Sequence, residues 1–333
     1  MYRICVLPGD GIGREVVPEA VRVLQGLPLD SEFVNAEAGY QYYQENGQLT
    51  PLPDLTLEKV RTADATLFGA VTTPPNVENY FSVIVKMRQM FELYANLRPS
   101  KTVPIKGCWK NVNLVIVREN TEGLYAGRER VEDNGNTAIT ERVITRKGSE
   151  RIIRYAFDYA IKNKRKKVTL VHKGNVLRET DGLFRKVGLE VRTNYPNIEF
   201  EEMLVDAMAM RLIKDPESFD VIVTTNLFGD ILSDEASQLV GGLGLAASGN
   251  IGDQTAIFEP VHGSAPDIAG KGIANPLAAI LAAKMMLDYL GEKKYALRVE
   301  KAVNWVLKQR QVTPDLGGTL NTKQVTDAVL ERL

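Results

Sequence analysis

Apolar residues in this chain fall into two alternating rhythms. Short runs rich in β-branched residues at 3–7, 31–36, 65–68, 114–120, 168–171 and 220–224 read as strands, and two more are expected at 94–101 and in a segment ending at Val205-Asp206. Between them, a 3.6-residue apolar period at 15–24, 55–62, 82–93 and 149–163, after Asn175, and at 277–290, 296–309 and 322–333 reads as helices. Strands alternating with helices predict an α/β protein with a parallel sheet covered on both faces. The rhythm breaks between residues 127 and 146. There 128–132, the turn Asp133-Asn134-Gly135 and 138–145 read as a β-hairpin, an excursion of the kind that grips another subunit. Residues 75–80 read as a polar linker and 248–253 as a glycine-rich connection.

Length adds that 333 residues suffice for two domains, each with its own core. A hydrophobic fraction of 44%, a charged fraction of 25% and a net charge of −1 describe an ordinary globular protein, with no basic excess for nucleic acid. Cys5 and Cys108 have neither metal nor redox spacing and read as small apolar residues of a reducing compartment. The opening residues run straight into a strand, and no apolar run approaches membrane-spanning length, so a cytoplasmic protein is expected.

The segment 224–235 places Asp230 and Asp234 one helical turn apart. Like charges at that spacing cost an isolated helix about 0.2–0.5 kcal/mol, and no Lys or Arg occurs from residue 215 to 270 to offset it. Two readings stand. Asn226, Asp230, Ser233, Asp234 and Ser237 form a solvated polar face opposite Leu227, Ile231, Leu232 and Leu239, or the aspartates are oxygen ligands for a hard divalent ion.

Three arginines, Arg88, Arg98 and Arg118, sit in apolar contexts, two of them in strands. Each is either a surface ion-pair residue or one claw of a polycarboxylate clamp. Lys173 ends a strand, and Tyr125 closes a short loop after Arg118. A lysine there is a solvated charge or, desolvated beside a metal ion and arginines, a general base. His172 and His262, the chain's two histidines, read first as hydrogen-bonded structural residues. The spacing of Gly9, Gly11 and Gly13 is G-x-G-x-G, not the dinucleotide fingerprint, and favours a turn at the top of a sheet.

Together these motifs resemble the metal-dependent β-decarboxylating dehydrogenases, which include isocitrate, homoisocitrate, 3-isopropylmalate and tartrate dehydrogenases. The likeness runs from Gly9-Asp-Gly-Ile-Gly13 through 118–125 and 226–234 to 259–276, with the remaining motifs nearest to homoisocitrate dehydrogenases. It implies the isopropylmalate dehydrogenase-like fold, which is not a Rossmann fold: a NAD-binding domain of about 1–99 plus 253–333, a second domain of 100–252 carrying the arm, dimer interface and metal aspartates, and a cleft between them. On this resemblance Asp230 and Asp234 hold Mg²⁺ or Mn²⁺ together with Asp206 of the partner subunit, in a homodimer with shared active sites or a tetramer. Arg88, Arg98 and Arg118 match substrate-carboxylate ligands, Lys173 the general base acting across the interface, and Tyr125 the acid that protonates the enol, with Asn175 beside the substrate.

The resemblance also places His262, Gly263, Ser264, Ala265, Asp267, Ile268 and Asn275 around the adenosine, with Thr72 and Thr73 toward the nicotinamide. Asp267-Ile268 stands where NADP-using relatives carry Lys-Tyr; a carboxylate binds ribose hydroxyls and repels a 2′-phosphate, so NAD is expected. Ser82 matches the serine with which isocitrate enzymes read the substrate's γ-group, and Val85 replaces the arginine of a homoisocitrate enzyme with an apolar wall. The expected substrate is therefore homoisocitrate, isocitrate or both, with 3-isopropylmalate or a tartrate- or malate-type acid as the alternative. Two other classes compete: a non-catalytic relative, which would lose Lys173, Tyr125 or an aspartate, and a metal-dependent phosphate hydrolase, which would not need the segment around Asp267.

Overall fold

The structure, a computed structural model, describes residues 1–77 and 80–333, so the linker expected at 75–80 lies partly outside the described residues. The elements of the first part of the chain are β1 (Tyr2–Gly9), α1 (Gly13–Gln25), β2 (Ser31–Asn35), α2 (Tyr40–Glu45), α3 (Asp54–Arg61), β3 (Ala65–Ala70) and α4 (Val83–Met90). The middle holds β4 (Ala95–Lys101), β5 (Asn113–Glu119), β6 (Glu129–Glu132), β7 (Thr137–Thr140), α5 (Arg146–Lys162), β8 (Lys167–His172), α6 (Thr180–Val191), β9 (Glu199–Leu204), α7 (Val205–Lys214), β10 (Val221–Thr224) and α8 (Asn226–Leu239). The chain closes with β11 (Ala247–Ile251), β12 (Ala256–Pro260), α9 (Leu277–Tyr289), α10 (Lys293–Lys308) and α11 (Thr322–Leu330).

Two compact units result. The terminal unit comprises Met1–Leu93, Val103–Cys108 and Gly241–Leu333, and the middle unit Tyr94–Thr102 and Trp109–Val240. In the terminal unit the strands follow the order β2-β1-β3-β12-β11, parallel except where β11 meets β12. Every residue of β3 is buried, as a parallel strand covered on both faces must be. Cys5, Leu7, Phe68 and Ile257 pack against Leu57 and Val60 of α3 and Val83 and Met87 of α4. Helices α1 and α9 also lie on the strands, and α10 and α11 pack against them.

The glycine turn is a packing device. A Cβ on Gly9 would lie 2.1 Å from the Ala70 carbonyl oxygen, and one on Gly11 2.1 Å from that of Ser264. Ile12 N–H donates to the same Ser264 oxygen at 2.9 Å. The turn therefore braces the segment that begins at His262.

The middle unit repeats the plan in the order β4-β5-β10-β8-β9, with β4 antiparallel to β5 and the rest parallel. Leu114, Ile116, Val171 and Ile222 pack on Met208 and Leu212 of α7 and Leu232 and Ala236 of α8, while α5 and α6 pack on β5, β8 and β10. The hairpin is present as β6 paired with β7. Two helices were not anticipated, α2 and α7. The segment expected to end a strand at Val205-Asp206 instead leaves its strand at Leu204, and Asp206 lies in the first turn of α7. The buried pair Met208 and Leu212, four residues apart, supplies the helical period that decides it. Among the described residues no helix is long and apolar enough to cross a membrane.

Candidate active site

Helix α8 departs from the solvated-face reading at Asn226, Ser233 and Ser237, while Asp230 stays partly exposed and Asp234 exposed. Asn226, Ser233 and Ser237 are buried, whereas Ile231 is 58% exposed. The cause lies on the neighbouring strands, where β4 and β5 turn Arg98 (9% exposed) and Arg118 (2% exposed) onto the polar face. Arg118 Nε and Nη2 donate to Asn226 Oδ1 at 3.0 and 2.7 Å, and its Nη1 donates to Asp230 Oδ1. Arg98 Nη1 donates to Asp234 Oδ1 at 2.8 Å and to Ser233 Oγ at 3.0 Å, while Nη2 lies 3.5 Å from Asp230 Oδ1. The like-charge cost of the aspartate pair is offset by two desolvated guanidiniums, a strong pairing because their forks match carboxylate geometry.

Tyr125 completes this cluster. Its hydroxyl donates to Asp230 Oδ2 at 2.9 Å, and the Arg118 guanidinium lies 5.3 Å from its ring centroid. Burial, then the Asp230 charge, raises the Tyr125 pKa, so the phenol holds its proton. The Asp234 carboxyl is also pushed up, chiefly by burial and, after the opposing pull of Arg98, by Asp230.

Lys173 follows β8, and its Nζ donates to Asp206 Oδ1 at 2.6 Å. That bond holds the Asp206 carboxyl below the usual carboxylate range. Asn175 is exposed two residues on. His172 is buried, and its Nδ1 accepts the Gly174 N–H at 3.0 Å. Burial lowers its pKa, which suits a neutral structural acceptor.

The remaining expected residues lie in the terminal unit. Arg88, in the last turn of α4, is buried and donates through Nη2 to Glu259 Oε1 at 2.9 Å. Asn250 Nδ2 donates to the same oxygen at 2.8 Å, and Arg88 Nε has no partner among the described residues. Ser82 precedes α4 without capping it through its hydroxyl, and Val85, half-buried, follows on the same helix face as Arg88. Thr72 Oγ1 and Ser264 Oγ are 2.7 Å apart, and Thr73, Gly263 and Asp267 are exposed. His262 Nδ1 lies 3.0 Å from the Gly263 carbonyl oxygen. Ala265 takes a left-handed φ of 40°, and its carbonyl accepts the Ile268 N–H at 3.1 Å. Asn275 Nδ2 donates to Asp315 at 3.0 Å.

The structure adds residues that the motifs did not single out as site members. Asn226 and Ser233 hold the arginines, and Asn96 Oδ1 accepts from Arg98 Nε at 2.9 Å. Their signal was present as the i, i+4, i+7 spacing of Asn226, Asp230 and Ser233. Asp10 is buried and accepts the Tyr40, Gln41 and Thr72 N–H groups, each at 2.8 Å, which fixes the backbone of Thr72.

Among the described residues no group of three or more His, Cys, Asp or Glu side chains is placed to hold a metal ion. The two α8 carboxylates are all-oxygen donors suited to a hard cation, and Asp234, penalised by burial and by Asp230, gains from one.

These features define a two-unit α/β enzyme whose site pairs buried arginines with carboxylates on one helix. The chain belongs to the isocitrate/isopropylmalate dehydrogenase family, which it matches over residues 3–329. It is 57% identical to homoisocitrate dehydrogenase of Methanocaldococcus jannaschii, covering 99% of this chain and 97% of that protein. It is 56% identical to isocitrate/homoisocitrate dehydrogenase of Thermus thermophilus, covering 100% of this chain and 98% of the relative. The crystal structure of isocitrate dehydrogenase from Methylococcus capsulatus superposes with a TM-score of 0.96 at 50% identity, over 100% of this chain and 99% of that one.

Proposed function

We propose that this enzyme oxidatively decarboxylates a 2-hydroxy-3-carboxy acid, homoisocitrate or isocitrate, with NAD, releasing a 2-oxo acid, CO₂ and NADH. The observation that carries this reading is the cluster in which buried Arg98 and Arg118 pair with the partly exposed Asp230 and the exposed Asp234, with Tyr125 on Asp230. Guanidiniums held this rigidly suit bidentate capture of substrate carboxylates, and Arg88, with an unpartnered Nε, suits a further one. The hydroxyl of Ser82, not used in capping, suits the γ-carboxylate of a tricarboxylic acid.

Asp230 and Asp234, with Asp206 of the partner subunit, would hold Mg²⁺ or Mn²⁺. When bound, that ion supplies Lewis-acid polarisation of the substrate's C2 oxygen. Lys173 of the partner subunit would accept the proton of the 2-hydroxyl, and NAD would supply the hydride acceptor for C2. The arginines orient the 3-carboxylate so that its C–C bond breaks and the electron pair moves into the enolate. Tyr125 then donates its proton to C3.

Helices α7 and α8 leave Met210, Ile213 and Ile231 exposed, which supports a homodimer. The exposed carboxylate of Asp267 supports NAD over NADP, and two free cysteines suit a cytoplasmic enzyme. The test is NADH absorbance with Mg²⁺ and homoisocitrate, isocitrate, 3-isopropylmalate or tartrate, before and after a chelator. No NADH from any of them refutes the reading, and the largest kcat/KM with 3-isopropylmalate replaces the substrate assignment.

A further inference from the structure

The middle unit contains an ionised pair that the chemistry above does not use. Asp181, in the first turn of α6, is 0% exposed. Its Oδ2 accepts the backbone N–H of Lys173 at 2.6 Å, closing the loop 173–181 back on itself. Its Oδ1 lies 2.7 Å from Arg142 Nη2. That pair is ionic more than hydrogen-bonded, because Nη2 directs its bond to Thr225 Oγ1 at 2.9 Å. The Arg142 guanidinium also lies 4.7 Å from the ring centroid of Phe228. Thr225 is the N-cap of α8 and Phe228 stands in its first turn, so Arg142 touches the beginning of the helix that carries Asp230 and Asp234.

Burial pushes the Asp181 carboxyl up and the Arg142 guanidinium down, so the pair sits where ionisation is costly. A buried ion pair is weak support for stability, since apolar replacement is often neutral or better. What this pair does achieve is geometric. With the Lys173 N–H held by Asp181 and the Gly174 N–H held by His172, two successive backbone groups at the end of β8 are pinned by buried side chains. The lysine side chain leaves from that fixed point toward Asp206.

We infer that Asp181, clamped by Arg142, is a positioning residue for Lys173, and that the pair fastens the loop of the general base to the first turn of the aspartate-bearing helix. This rests on Lys173 being the base in the reaction proposed above.

The test is a double-mutant cycle on the full-length enzyme. Asp181→Asn should lower kcat at least tenfold, on the scale at which a misplacement of about 1 Å costs about a hundredfold, with KM for hydroxy acid and NAD changed less than about twofold. In a Lys173→Ala background the same substitution should cause no further loss, because a residue acting through the lysine has nothing left to position. Should Asp181→Asn not fold, Arg142→Gln with Asp181→Asn removes both charges and carries the same cycle. Unchanged kcat in a folded variant, an equal loss in both backgrounds, or failure of both variants to fold overturns the inference. Wild-type kcat in Lys173→Ala alone instead refutes the base assignment, and the two failures are read separately.

Discussion

Gly229 lies in α8 one residue before Asp230, against Arg118 of β5. A Cβ built there would stand 2.6 Å from Arg118 Cγ, 2.7 Å from its Cβ and 3.2 Å from its Cα. Helix propensity alone favours alanine over glycine by about 1 kcal/mol. Overpacking a well-filled site costs about 1–3 kcal/mol, and these contacts are at the root of the arginine, where no rotamer change clears them. The two effects leave Gly229→Ala destabilised by about 0–2 kcal/mol, the opposite sign from an ordinary helix position. The same displacement draws the Arg118 guanidinium off Asn226 and Asp230, so kcat/KM for the hydroxy acid should fall about 10–100-fold. Urea unfolding reads the first quantity and steady-state NADH production the second. A variant that gains the full alanine increment and keeps wild-type kcat/KM refutes the packing argument.

Asp234 makes stability depend jointly on pH and metal. Its raised folded-state pKa means that its contribution is complete below the ordinary carboxylate range and is lost as pH rises through the raised value. A divalent cation binds the ionised form, so the rise in Tm caused by Mg²⁺ should be larger at about pH 8 than at about pH 5; an Asp234→Asn variant showing the same pH dependence sinks the assignment. Replacing Asp267 by Lys together with Ile268 by Tyr should shift the ratio of kcat/KM toward NADP, and an unchanged ratio removes Asp267 from the ribose.

Apolar periodicity determined the α/β class and the helix bearing Asp230 and Asp234, and the turn Asp133-Asn134-Gly135 the hairpin, because such patterns are local properties of the chain. It did not determine which polar residues of α8 are buried. An amphipathic period assigns them to solvent by default, and here Asn226 and Ser233 are buried because Arg98 and Arg118 arrive from 136 and 112 residues away to pair with the aspartates between and beside them. The same limit applies to Asp206, which the strand pattern places at a strand end and which the packing of Met208 and Leu212 against the unit's core places in α7. Asp181 and Arg142 are likewise unremarkable in sequence, 39 residues apart. Only tertiary structure decides such cases, because the sign of a charged residue's contribution depends on which opposite charge shares its desolvated volume, and that partner is chosen by chain topology and not by neighbours in sequence.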